Sequence, residues 1–193
     1  IMTTQHYWHL IIFGLMVLLF SGCAPEYSKL NQSGFRKIEE KNYELALKDF
    51  NASIALNDNY WRAYQNRGAA YAFLGNFKMA LDDFDRSITM HPNNPNAYEV
   101  RAVCRIELND YKGAIEDFTK AIELKSDYDF AYNNRAAAKY KLKEYEGCIS
   151  DCNKAIQINN KYGYSYLNRA NAKEMIRDND GACADWKTAV KLG

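Results

Sequence analysis

The sequence predicts an all-α chain built as a superhelix of five helix-turn-helix repeats. Three observations predict it. Residue types recur every 34 positions, without an insertion, from residue 27 onward. Within each unit, apolar residues recur at helical spacing in two stripes. The break between the two stripes falls in the same region of every unit, on short runs of Lys, Gly, Asn, Asp or Glu. One helix pair cannot bury both of its apolar sides, so neighbouring units must stack to close the core, which gives a curved array with a concave face.

The register divides the chain into units 27–60, 61–94, 95–128, 129–162 and 163–193. Ala46, Ala80, Ala114, Cys148 and Ala182 occupy one repeated place, and Phe50, Phe84, Phe118, Cys152 and Trp186 another. Tyr64, Tyr98, Tyr132 and Tyr166 occupy a third; Ser53, Ser87, Ala121, Ala155 and Ala189 a fourth. In unit one the second-helix stripe is Ala46, Leu47, Phe50 and Ile54; in unit three it is Ala114, Ile115, Phe118 and Ile122. Breaks inside the units are expected at Lys41-Asn42, Gly75-Asn76, Asn109-Asp110, Lys143-Glu144 and Asp178-Asn179. Breaks between units carry turn residues such as His91-Pro92-Asn93-Asn94. Gly68, Ala102, Ala136 and Ala170 on the first helices let the second helices approach closely.

The 34-residue period and its content resemble the tetratricopeptide repeat. Unit two matches best: Tyr64 stands where the family often has Trp, and Gly68, Tyr71, Ala80, Phe84 and Pro92 stand in family positions. Cys152 and Asn179 depart from the pattern by replacing aromatics. The resemblance covers residues 27–193 and implies a right-handed α-α superhelix that binds other proteins, through peptide or helix segments, on a concave face lined by first helices. Carried over, that face comprises Asn31, Phe35, Arg62, Gln65, Phe73, Asn96, Glu99, Phe130, Asn133, Tyr140, Lys141, Tyr164, Asn171 and Glu174. Amides there would meet peptide groups and aromatics would anchor side chains; the alternative is that several of the aromatics only fill gaps between helices. The carboxylate-gripping clamp of chaperone-binding relatives is not matched, since only Asn66 fits among Asn31, Phe35, Asn66, Asn96 and Val100.

A second repeated set is Arg67, Arg101, Arg135 and Arg169, on first helices where the family usually has Leu. Asp49, Asp83, Asp117, Asp151 and Asp185 recur on the second helices. These read as repeated, partly buried structural ion pairs, because a guanidinium fork suits a carboxylate. Spacing leaves open whether each Asp pairs within its unit or with the next unit's Arg, so either Asp49 or Asp185 is left over.

Several function classes fall away. The net charge of +1 offers no basic stripe for nucleic acid. A single histidine, His91, follows residue 23, and no Gly-rich phosphate loop occurs, so neither catalysis nor a cofactor or metal is expected. Cys148 and Cys152, four apart on one helix, read as small apolar fillers.

Residues 1–25 lack Lys, Arg, Asp and Glu, and Leu10–Phe20 is apolar except for Gly14. That run is too short to span a bilayer and fits a secretory signal. Leu19-Phe20-Ser21-Gly22-Cys23 resembles the lipobox of bacterial lipoproteins. It implies a signal peptide over 1–22, an acylated Cys23 with a short tether over 23–26, and a repeat domain over 27–193. Ala24 after the cysteine points, by the same resemblance, to the outer membrane and a periplasm-facing domain. An ordinary cleaved signal or an uncut anchor helix is the alternative. The expected function is thus a non-catalytic, lipid-anchored envelope adaptor, or else a self-associating envelope component that uses an uncovered face of unit five around Trp186, Ala189 and Val190.

Overall fold

A computed structural model describes residues 24–192. The signal segment expected over 1–22 and the lipidation expected at Cys23 lie outside the described residues. Ten helices occur among those residues, two in each unit, and no strand. They are α1 (Glu26–Glu39), α2 (Tyr43–Leu56), α3 (Trp61–Phe73), α4 (Phe77–Met90), α5 (Pro95–Glu107), α6 (Tyr111–Leu124), α7 (Asp129–Lys141), α8 (Tyr145–Ile158), α9 (Gly163–Met175) and α10 (Asn179–Leu192). Odd-numbered helices are the first of each pair.

Each intra-unit turn closes in the same way. Lys41, Gly75, Asn109, Lys143 and Arg177, 34 apart, all take the left-handed backbone region, with φ between 61° and 75°. The following amide then bonds back to a carbonyl of the preceding helix, as Asn42 N–H does to Lys37 (2.7 Å) and Asp178 N–H to Lys173 (2.9 Å). That bond satisfies carbonyls the helix end leaves open. In unit five the turn therefore lies at Arg177-Asp178, one residue before the expected Asp178-Asn179. The 34-residue period continues through the turn, and Asn179 is already the first helical residue.

Helix contacts set the curvature. First helices of adjacent units touch one another, whereas second helices touch only first helices. The array consequently bends toward its first helices, which form the inner face. The core runs along the stack as linked clusters. One joins Ile88, Ala97, Tyr98, Ala102, Phe118, Tyr128 and Ala131, from α4 to α7, and so crosses two unit boundaries.

Within a unit, the Phe of the second helix faces the small residue of the first. A Cβ at Gly34 would stand 2.6 Å from the Phe50 ring, and one at Gly68 would stand 3.0 Å from Phe84. Unit four has Cys152 in place of that Phe. Tyr140 packs there against Ala136, Cys148 and Cys152, edge-on to Tyr145 at 5.6 Å, and supplies bulk the thiol lacks.

Candidate functional site

Two arrangements recur through the stack: an ionic ladder between helices and a set of polar and apolar groups on the inner face. The ladder settles the pairing that spacing left open. Arg67 grips Asp83, Arg101 grips Asp117, Arg135 grips Asp151 and Arg169 grips Asp185, each through Nε and Nη2 to both carboxylate oxygens. Every pair lies within one unit, so Asp49 is the one left over. It takes Lys37 instead, at 2.6 Å.

Three kinds of partner extend this ladder beyond what spacing predicts. The free Nη1 of each Arg reaches the preceding unit: Asn51, Asp85, Thr119 and Asn153 accept from Arg67, Arg101, Arg135 and Arg169. Each guanidinium thereby staples two units. A second cation also approaches most of the aspartates: Arg105 to Asp117, Lys139 to Asp151, Lys173 to Asp185. In unit two the equivalent place is Tyr71. The repeated tyrosines Tyr64, Tyr98, Tyr132 and Tyr166 each lie under their unit's Arg, with 5.5 Å from the guanidinium carbon to the ring centre.

These surroundings separate the aspartates. Burial pushes the Asp83 carboxyl up, and Arg67 alone does not offset it. Burial also raises Asp185, but Arg169 and Lys173 together outweigh it and hold that carboxyl below its ordinary value. At Asp49, burial is outweighed by the bonds from Lys37 and Ser33, and the carboxyl is again lowered.

On the inner face, much of the expected polar set is already hydrogen-bonded, either across a unit boundary or within a unit. Asn31 and Asn133 are buried, and their side-chain oxygens accept from Asn66 and Asn168, each at 3.0 Å. Asn94 donates to Gln65 at 2.7 Å. The Tyr128 hydroxyl donates to Glu99 and lies 3.2 Å from the Asn96 oxygen. Burial, then that contact with Glu99, raises the Tyr128 phenol. The Trp186 indole donates to Asn171 at 3.1 Å. Tyr140 is committed to the core of unit four.

Phe35, Arg62, Phe73, Phe130, Lys141, Tyr164 and Glu174 remain exposed. Phe130 and Tyr164 both pack on Tyr162 and form an aromatic cluster between units four and five. Phe73 stacks on Tyr43 at 4.9 Å yet keeps 60% of its surface exposed.

Beside Phe73 lies a hollow of about 300 Å³ between α3 and α5. Ala69, Ala72 and Phe73 line one wall; Val100, Val103 and Cys104 line the other, with Phe77 and Phe84 also in contact. Glu107 is its sole charged lining residue. The expected binding set touches this hollow at Phe73 but omits Ala69 and Val103, which are neither aromatic nor polar. The signal was present: both fall on the 34-residue series Phe35, Ala69, Val103, Ala137, Asn171, whose two ends belong to the expected set. A second hollow, of about 500 Å³, lies among Asn31, Gln32, Phe35, Arg36 and Asn66.

Three of the four described cysteines sit in the packing, and Cys183 is exposed. Cys104, Cys148 and Cys152 are buried free thiols. Burial, with Glu107 nearby, pushes Cys104 up to about 11, and the contact with Cys148, together with burial, raises Cys152 further. Thiols so raised are poor nucleophiles and poor metal ligands. Among the described residues no cluster of three His, Cys, Asp or Glu side chains is arranged to hold a metal.

Two segments match known repeat families: residues 61–94 match the tetratricopeptide repeat, and residues 105–143 match a TPR repeat. No curated protein matches the chain. Among solved structures, MamA from Desulfovibrio magneticus RS-1 superposes with a TM-score of 0.82 at 17% identity, over 88% of this chain and 96% of that one. YrrB, described as a TPR protein with an unusual peptide-binding site, gives 0.75 at 14%, over 88% and 93%. PilF of Pseudomonas aeruginosa gives 0.78 at 14%, over 87% and 77%. At such identities the likeness shows the fold. The two repeat matches and these neighbours support a tetratricopeptide repeat protein, and the fold is an all-α tetratricopeptide-like solenoid.

Proposed function

We propose that the chain is a lipid-anchored envelope adaptor that binds peptide segments of other proteins on its inner face. Tetratricopeptide proteins are in general non-catalytic scaffolds that bind other proteins or peptides, and the two repeat matches are consistent with that role. A single observation carries the choice of the inner face. It holds an open apolar hollow beside Phe73, an aromatic residue that packing leaves mostly in water. Apolar surface held open on a rigid scaffold is the usual form of a contact site. A peptide-binding site is also described for the similarly folded YrrB.

Affinity capture with the full-length chain tests this, comparing wild type with Phe73→Ala, Phe130→Ala and Tyr164→Ala. Loss of a partner common to wild-type captures supports the inner face; equal capture by all variants contradicts it. The anchor rests on the lipobox-like residues 19–23, and acylation at Cys23 would hold the array at the outer membrane, on its periplasmic side. Mass spectrometry of the mature N-terminus decides it: an unacylated, uncleaved chain removes this part of the proposal. Among the described residues no helix is long and apolar enough to cross a membrane.

One observation favours a second reading, self-association through unit five. Val190 is 83% exposed and borders a hollow of about 270 Å³ with Gly163, Tyr164, Leu167 and Ala189. Sedimentation at micromolar concentration distinguishes it, since a strict monomer removes this reading.

A further inference from the structure

At the C-terminal end of the first helices the repeated place 34 apart carries Glu39, Phe73, Glu107 and Lys141. The exposed aromatic of α3 is thus flanked, on the two neighbouring first helices, by a carboxylate on each side. Both carboxylates are exposed, and among the described residues neither enters an ion pair, including Glu107 with Lys141. This contrasts with the aspartates of the ladder, each of which is matched. Glu107 borders the apolar hollow directly.

We propose that the hollow between α3 and α5 docks a protein segment carrying a bulky apolar side chain with a lysine or arginine next to it, an inference that rests on the inner face being the binding face. The apolar side chain fills the space between Ala69 and Val103, and the cation seats on Glu107, with Glu39 favouring a second cation on the far side of Phe73. The volume suits one or two side chains and stands at the lower edge of the small-molecule range, so a short linear segment is the fitting occupant. Apolar burial supplies the affinity. The rim carboxylates set the charge preference and the association rate, and binding weakens with salt.

Selection of a random dodecapeptide library on phage against the full-length chain in detergent tests this. The winners would then be titrated, as labelled synthetic peptides, against wild type, Val103→Trp, Glu107→Lys and Phe130→Ala. Thermal melts confirm that each variant folds; Ala69→Leu serves in place of Val103→Trp if that one does not. The expected winners pair an aromatic or Leu with Lys or Arg. Val103→Trp should weaken them about tenfold, a loss of about 1.4 kcal/mol, and Glu107→Lys should shift selection toward Asp and Glu. Winners that lose affinity with Phe130→Ala but bind both hollow variants normally would overturn this inference and leave the inner face standing as the binding face. A library that yields no binder, or binders indifferent to every inner-face substitution, would overturn both.

Discussion

Arg135 holds Asp151 with Nε at 2.8 Å and Nη2 at 2.7 Å from the two carboxylate oxygens, while its Nη1 turns back 3.0 Å to the Thr119 hydroxyl of the preceding unit. The pair is largely buried, with Lys139 a second cation on the same carboxylate. Removing Arg135 leaves the buried Asp151 with Lys139 as its one remaining cation and without the bidentate grip. Arg135→Ala should therefore destabilise the chain by about 3 kcal/mol, near the lower bound for buried pairs because the Arg is partly exposed. Arg135→Lys should recover only part of that, since an ammonium cannot grip bidentately. Equilibrium urea denaturation checks both, and near-wild-type stability in Arg135→Ala would contradict the ladder's role.

The ladder also marks how far the sequence could be read. The 34-residue period exposed the Arg and Asp series and the helix order, because each is the same residue type at the same place. It did not reveal the pairing, since Asp83 precedes Arg101 by about as much chain as it follows Arg67. The third partners stayed hidden because their place, although constant in the 34-residue register, holds different residue types, Asn51, Asp85, Thr119 and Asn153, which share only an acceptor oxygen. The same limit applied on the inner face. Asn31 and Asn133 read as peptide-binding amides, and only the superhelix shows that neighbouring units occupy them.

The aspartates should give opposite pH signatures. The Asp185 carboxyl is lowered in the fold, so its stabilisation is present above the unfolded value and is lost as pH falls through the folded one. Asp83 is raised, so its contribution is fullest below the unfolded value and declines as pH rises through the folded one. Between about pH 5 and 3, Asp185→Asn should flatten the fall in stability and Asp83→Asn should steepen it. Urea midpoints across that range measure this; parallel curves for both variants would contradict it.

The left-handed turns give a stabilising prediction. Lys143, with φ 64°, and Arg177, with φ 66°, occupy a conformation that costs a side-chain-bearing residue about 1–2 kcal/mol, part of which glycine returns through its flexibility when unfolded. Lys143→Gly should raise stability by about 0.5–1 kcal/mol, and Gly75→Lys should lower it comparably. Thermal denaturation of the two variants checks the sign.

Ser87 offers another. Its hydroxyl is buried without a hydrogen-bond partner, whereas the equivalent Ser53 donates to the Tyr27 carbonyl at 2.6 Å. Units three and four carry Ala121 and Ala155 in that place. Ser87→Ala should therefore be neutral or stabilising by up to about 1 kcal/mol, and Ser53→Ala destabilising by about 1 kcal/mol. Calorimetric melts distinguish the two.

Phe73 and Arg86 are both exposed in unit two, one on the inner first helix and one on the outer second helix. If the inner face makes the functional contact, the two positions must behave differently. Site-specific photocrosslinking in cells compares them, with p-benzoylphenylalanine placed at position 73 or at position 86. The expected result is a crosslink to another protein from position 73 and none from position 86. Crosslinks arising only from position 86, or from position 73 only to a second copy of this chain, would contradict binding of other proteins on the inner face.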